Sequence, residues 1–223
     1  MSRDFDWPEF LFILGAVRWT VLLSLIAFVG GGIGGLILAI MRTSSIRALR
    51  WISAAYIGLI QSTPLLMQLF LVFYGLAVIS GVRIDPWPAV TLAFTMYAAA
   101  FLGEIWRGAI QAIPRQQWEA AAALPLAPAA QLMHVILPQA FRIAIPPTVG
   151  FLVQLIKGTS IASIIGFVEL TRAGQLMVNV TFQPMIVYPV VAALYFALCW
   201  PMSMLALRLE RRIDAALGIR RHT

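Results

Sequence analysis

Apolar residues run through this chain in long blocks separated by short charged breaks, and the blocks have the length of membrane crossings. A helix needs about 20 predominantly apolar residues to cover ~30 Å of hydrocarbon. Residues 21–41 carry no charge, and their helix starts nearer residue 10, with Arg18 close to an interface. Residues 51–82 are uncharged and long enough for one tilted helix plus a connection. A third block, from Pro88, is interrupted by Glu104 and Arg107 near its end. A fourth is broken only by Lys157, and a fifth, from Pro184, carries no charge. The pattern predicts an all-α integral membrane protein with about five transmembrane helices, over residues 10–41, 54–80, 88–110, 143–168 and 184–207, in a single domain covering 1–223.

The charges between the blocks fall unevenly. Arg42, Arg47 and Arg50 follow the first block, Arg107, Arg115 and Arg142 surround the third connection, and Arg208, Arg211, Arg212, Arg220 and Arg221 lie in the tail. The opposite side holds Arg3, Arg83 and Arg172, diluted by Asp4, Asp6, Glu9, Asp85 and Glu169. The positive-inside rule then predicts the N-terminus outside and the C-terminus in the cytoplasm, which requires an odd number of spans. This also explains the surplus of 16 basic over 9 acidic residues without a nucleic acid partner. Only 11% of residues are charged and 61% are hydrophobic, so lipid or partner chains must cover the excess apolar surface. The first ten residues lack a positive n-region and a cleavage site, so the first block is expected to persist as a span. Cys199, alone inside an apolar run, reads as a packing residue.

Gly30, Gly31, Gly32, Gly34 and Gly35 sit inside the first block, where small residues let helix backbones approach closely in lipid. No Gly-Lys-Ser/Thr follows them, which argues against a phosphate-binding loop.

Residues 114–138 do not belong in lipid. Pro114 suits a helix first turn, residues 115–124 are strong helix formers, and Pro125 stops them. A second short helix is expected from Pro128 to about Ile136, stopped by Pro138. Two short helices at an angle make a knob whose four alanines, Ala120 to Ala123, give a low-relief surface beside the single anion of Glu119. The alternative is an amphipathic loop resting on the membrane.

Ionisable and polar groups at membrane depth call for a pairing partner or a role. Glu104 and Arg107, three apart, share a helix face and can pair. Lys157, Thr159 and Ser160 cluster in the fourth block as a substrate path or gate. Gln61, Ser62 and Thr63 precede Pro64, with Gln68 one turn on, and a kink there can line a pathway. An intramembrane enzyme would need His, Cys or paired carboxylates within the spans, whereas the two histidines, His134 and His222, lie in the loop and tail.

Glu119-Ala120-Ala121, followed by a break and Ile136-Leu137-Pro138, resembles the EAA loop of binding-protein-dependent ABC importer permeases. Three further stretches resemble the polar amino acid subfamily (histidine, glutamate, glutamine or arginine type) in matching order. They are Gln61-Ser-Thr-Pro-Leu-Leu-Met-Gln-Leu-Phe70, Ala99-Ala-Phe-Leu-Gly-Glu-Ile-Trp-Arg-Gly-Ala-Ile-Gln-Ala-Ile-Pro-Arg115 and Leu155-Ile-Lys-Gly-Thr-Ser-Ile-Ala-Ser163. The resemblance implies a type I ABC importer permease (MetI-like) in the bacterial inner membrane, translocating a polar amino acid or amino-acid-like solute. It implies that Glu119, Ala120, Ala121, Pro125, Leu137 and Pro138 dock on a cytoplasmic ABC ATPase. ATP and Mg would be held by that ATPase, and this chain would bind no cofactor. A periplasmic or extracellular solute-binding protein would deliver substrate to a pair made with a second permease copy or a paralogue. Pro125 stands where the EAA motif has Gly, Gln61-Ser62 where Arg-Gly is usual, and Gly158 where Asp or Asn is usual. The last departure removes a partner for a cationic substrate. The competing function is a homodimeric secondary carrier or channel without an ATPase, with Lys157 and Glu104 carrying ion coupling.

Overall fold

The computed structural model describes residues 4–81 and 85–216, all of the regular structure being helical. The expectations on Arg3, Arg83, Arg220, Arg221 and His222 fall outside those residues. The chain runs α1 (Trp7–Thr43), α2 (Arg47–Gln61), α3 (Leu65–Ser80), α4 (Pro86–Gln111), α5 (Arg115–Ala122) and α6 (Pro128–Gln131). A π turn (Leu132–Ile136), α7 (Leu137–Gly158), a 3-10 turn (Thr159–Ile165), α8 (Leu170–Thr181) and α9 (Pro184–Ala216) follow. Four helical runs are long and apolar enough to cross a membrane alone: α1, α4, the run Pro128–Ile165, and α9. A fifth crossing results if α2 and α3 are counted together.

Helix α4 is the hub, packing against α1, α2, α3 and α7. Phe94, Leu102, Ala93 and Ala98 of α4 are buried with Leu23 and Ala27 of α1, Leu69 of α3 and Phe151 and Leu155 of α7. The glycine run of α1 meets α4. A Cβ built on Gly31 would stand 2.3 Å from the Ala98 Cβ, and one on Gly35 would stand 2.9 Å from the Gly103 backbone nitrogen. Gly32 faces away, its nearest neighbour being the far end of the Trp106 ring at 3.7 Å. Two backbones that touch through hydrogens leave no room for a methyl group. Gly31→Ala is therefore expected to lower the melting temperature of the detergent-solubilised chain, by the equivalent of about 1–3 kcal/mol of overpacking. Gly32→Ala should be neutral or stabilising, since alanine is the better helix former.

The structure departs from the expected elements in four places. The 54–80 block is two helices bent by 102° at residues 62–64, not one tilted, kinked helix. Pro64 is the N-cap of α3 with extended ψ of 137°, and it biases the residue before it out of the helical region. The 143–168 block is helical only to Gly158, tightens into the 3-10 turn and closes on Gly166 at φ 86°. Pro138 does not end a short helix: it lies in the first turn of α7, and the run from Pro128 passes through it. Proline at 138 cannot donate to the carbonyl four residues back and its ring pushes that carbonyl away. The π turn absorbs the conflict, with the Leu137 N–H bonding the Leu132 carbonyl five residues back. Finally, α8 was not foreseen between the fourth and fifth blocks.

Candidate functional site

Two regions gather the polar and exposed residues singled out above. The first is the α5 knob. Ile113, Ile136 and Ala140 are buried together, with Ile110, Leu132, Val135 and Ile143 packed around them. This apolar plug joins the end of α4, the π turn and the start of α7 under α5. Gln139 reinforces it, its Nε2 donating to the Val135 carbonyl at 2.8 Å and to Gln117 Oε1 on α5 at 3.3 Å. α5 is thus tied to α7 through Gln117 and Gln139, and it follows α4 directly through the buried Ile113.

On the outside of the knob, Glu119, Ala120, Pro125, Leu137 and Pro138 are exposed, as are Ala122 and Ala123. Ala121 is not: at 2% exposure it faces inward, so the flat alanine surface is built from its neighbours. Trp118, Leu124, Leu126 and Met133 add exposed apolar area that the sequence reading did not single out. Such a patch around the loop between α4 and α7 marks an interaction site.

The second region is where two helices break side by side. Gly158, at the end of α7, has the Leu65 side chain from the start of α3 and the Phe94 ring of α4 as its nearest neighbours. At the α2–α3 break, Gln61 and Ser62 are exposed and Thr63 is half-buried. Thr63 Oγ1 donates to the Leu59 carbonyl at 2.9 Å. Gln68 is buried, and its Nε2 lies 2.7 Å from the Ile60 carbonyl, 3.0 Å from the Thr63 carbonyl and 2.9 Å from Thr63 Oγ1. Gln68 thus stitches the break together, leaving its Oε1 without a partner. At the α7 break, Thr159 is fully buried and turns its hydroxyl to the Ile156 carbonyl at 2.7 Å. Lys157 is exposed, and Ser160 is half-buried and bonds the Lys157 carbonyl at 2.8 Å. Gln154, one turn before Lys157 and also exposed, reaches the Tyr97 hydroxyl at 3.5 Å. The surface polar groups here are Gln61, Ser62, Gln154, Lys157 and Ser160, while Gln68 and Thr159 serve the backbone.

Glu104 and Arg107 are held elsewhere. Arg107 Nε donates to Glu104 Oε2 at 2.9 Å, a second link joins Nη2 to Oε1, and Nη1 bonds Gln111. The pair lies ten or more residues beyond Phe94 on α4, about 15 Å along its axis. It is an ion pair of the α4 end, not a neighbour of the two breaks.

A buried polar knot that sequence reasoning missed lies just beyond the 3-10 turn. Glu169, counted there as a loop charge, is 0% exposed. Its Oε1 accepts from Arg172 N at 2.8 Å, and its Oε2 accepts from Thr171 N and from the Tyr195 hydroxyl, both at 2.8 Å. Tyr195 also meets Thr171 Oγ1 at 3.0 Å, and Leu170 N donates to Thr20 Oγ1 of α1 at 3.1 Å. Burial pushes the Glu169 carboxyl above the usual carboxylate range, and the donated hydrogen bonds oppose that rise. The signal available in the sequence was an acid directly ahead of a helix-forming stretch, the position where an acceptor caps free N–H groups.

Comparison with known proteins gives the geometry a family. The chain is 38% identical over 209 residues to the L-cystine transport system permease protein TcyB of Bacillus subtilis, covering 93% of this chain and 88% of that protein. It is 34% identical over 214 residues to the probable glutamine ABC transporter permease protein GlnM of the same organism, covering 96% and 99%. A chain in the crystal structure of an amino acid ABC transporter with histidines superposes with a TM-score of 0.86 at 32% identity, covering 94% of this chain and all of that one. Residues 31–215 match the family described as binding-protein-dependent transport system inner membrane component. The chain belongs to that family, and it is a translocation subunit of an ATP-driven ABC importer with the type I permease fold, not an enzyme.

Proposed function

We propose that this permease moves a polar amino acid or amino-acid-like solute along the paired helix breaks, driven through the α5 knob. Family membership implies two kinds of partner, an ABC ATPase and a solute-binding protein. The observation that carries the reading is the knob: α5 presents Glu119, Ala120 and exposed apolar side chains outward, while it rests on the π turn and is tied to α7 by the Gln139–Gln117 hydrogen bond. The ATPase docks there, holds ATP and Mg itself, and rocks both helices at once. Positive charge around the knob supports a cytoplasmic location for it, with the N-terminus outside and the whole in a bacterial inner membrane. One chain has too few helices to enclose a path alone, so a second copy or a paralogue completes it. Lys157 and Ser160 line the path, with Gln61 and Ser62 across the break. Lys157 meets the substrate carboxylate, and Gly158 leaves the position beside it without an anion.

Uptake of labelled amino acids by proteoliposomes holding the permease pair, ATPase and binding protein tests this. Neutral or acidic polar amino acids should be carried, and Lys157→Gln should raise the half-saturating substrate concentration about tenfold, the worth of one charge-assisted hydrogen bond. Uptake confined to non-amino-acid solutes would overturn the substrate class. An unchanged concentration dependence in Lys157→Gln would remove Lys157 from the path.

A further inference from the structure

The knot around Glu169 is built for more than ending a helix. A serine, threonine or aspartate caps free N–H groups at less desolvation than a glutamate that water cannot reach. The longer side chain uses its reach. One oxygen takes Arg172 N, while the other takes Thr171 N and the hydroxyl of Tyr195, which comes from α9, 26 residues away in sequence. No cation is spent on the carboxylate from its own helix, because the Arg172 guanidinium turns to Gln175 Oε1 at 3.1 Å. Tyr195 also packs against Val153 and Ile156 at the end of α7, directly ahead of the turn.

The connection from this knot to the 3-10 turn is short and fixed. After Ile165 only Gly166, Phe167 and Val168 precede Glu169. Phe167 is buried, stands edge-on to Trp87 at 4.8 Å, and donates its N–H back to the Ala162 carbonyl. The turn is thus held at its start by Thr159 and at its end by the α8 cap, and Tyr195 bonds that cap while packing on the end of α7 that leads into the turn. We propose that Glu169 and Tyr195 are positioning residues that lock the Thr159–Ile165 turn to α9, and so set where Lys157 and Ser160 stand in the path. This rests on the reading of Lys157 and Ser160 as path-lining. In a rocking permease such a tether makes the turn travel with α9 and α8 as one body.

The test uses the complete complex in proteoliposomes, in a Cys199→Ser background with Ser160→Cys as a reporter. Tyr195→Phe removes one hydroxyl and leaves the α8 cap, so assembly and basal ATP hydrolysis should match the parent. The rate of maleimide labelling at Ser160→Cys should rise, and the half-saturating concentration of loaded binding protein should shift about fivefold, the size of one lost hydrogen bond. Glu169→Gln keeps the length and an acceptor, and should recover most of what Glu169→Ala loses. A purely structural role would lower yield and melting temperature without moving labelling or half-saturation. If Tyr195→Phe and Glu169→Ala leave both within twofold of the parent, the positioning role is wrong. Protection of Ser160→Cys by substrate reports on the path separately: lost protection with an intact labelling shift would sink the path reading and spare the tether.

Discussion

Glu119→Lys combined with Ala120→Asp should abolish substrate-stimulated ATP hydrolysis and uptake while the permease still inserts and folds. Both side chains are exposed on the isolated chain, so neither change disturbs packing within it. At the docked ATPase the situation reverses. A charge placed on a flat alanine surface that another protein covers is stripped of water without a partner, which costs several kcal/mol. Reversing Glu119 adds repulsion wherever the ATPase supplies a cation. About 3 kcal/mol lost at the interface is already more than a hundredfold in affinity, enough to free the ATPase at working concentrations. Co-purification of the ATPase and its hydrolysis rate with loaded binding protein measure the effect. Ala121→Leu is the informative contrast, because Ala121 is buried beneath the same surface. It should fail through loss of folded chain, visible as a lowered melting temperature, and not through selective uncoupling. Persistence of stimulated hydrolysis in the double variant would remove α5 from the coupling path.

The membrane architecture was legible because its signal is strong: blocks of about 20 apolar residues admit few other readings. The knob was legible for a local reason, the spacing of Pro114, Pro125 and Pro128 around an alanine-rich stretch. Where proline was read as a stop the outcome divided, and the difference is physical. Pro125 follows a short helix that has already ended at Ala122, with no packed run beyond it to continue. Pro138 sits inside a run that the Ile113, Ile136 and Ala140 plug packs from below, so tertiary contact absorbs the defect as a π turn. Ala121 could not be told from Ala120 and Ala122 by composition, since only the direction of α5 over that plug decides which alanine is covered. Lys157 and Ser160 came together because they neighbour each other in sequence. Their place beside the α2–α3 break depends on Leu65 meeting Gly158, a contact between residues 93 positions apart. The burial of Glu169 has the same cause: its partner Tyr195 is 26 residues away and meets it only once α9 is packed, although the α8 cap itself is local.

Gln68→Glu should be strongly destabilising, although it replaces one side chain by another of nearly the same shape. The α2–α3 break exposes carbonyls that no helix hydrogen bond satisfies, at a depth where water cannot serve them. Gln68 serves them from one turn away, with Nε2 against the Ile60 and Thr63 carbonyls. A carboxylate has no donor to offer. The two carbonyls would lose their partner at about 1–3 kcal/mol each, and an anion would face them across the 2.7 and 3.0 Å that the amide now spans. The side chain would take up a proton before tolerating that, recovering one donor at the expense of shifting its own ionisation. Gln68→Leu separates the two effects, removing the donor without adding charge, and should fall between the parent and Gln68→Glu. Melting temperature of the purified complex should follow the order Gln, Leu, Glu. Uptake should fall in parallel, because the bend between α2 and α3 sets where Leu65 meets Gly158. If Gln68→Glu melts with the parent, the amide is not what holds the break, and the 102° turn must be carried by Pro64 and the packing of Leu65 and Leu69 alone.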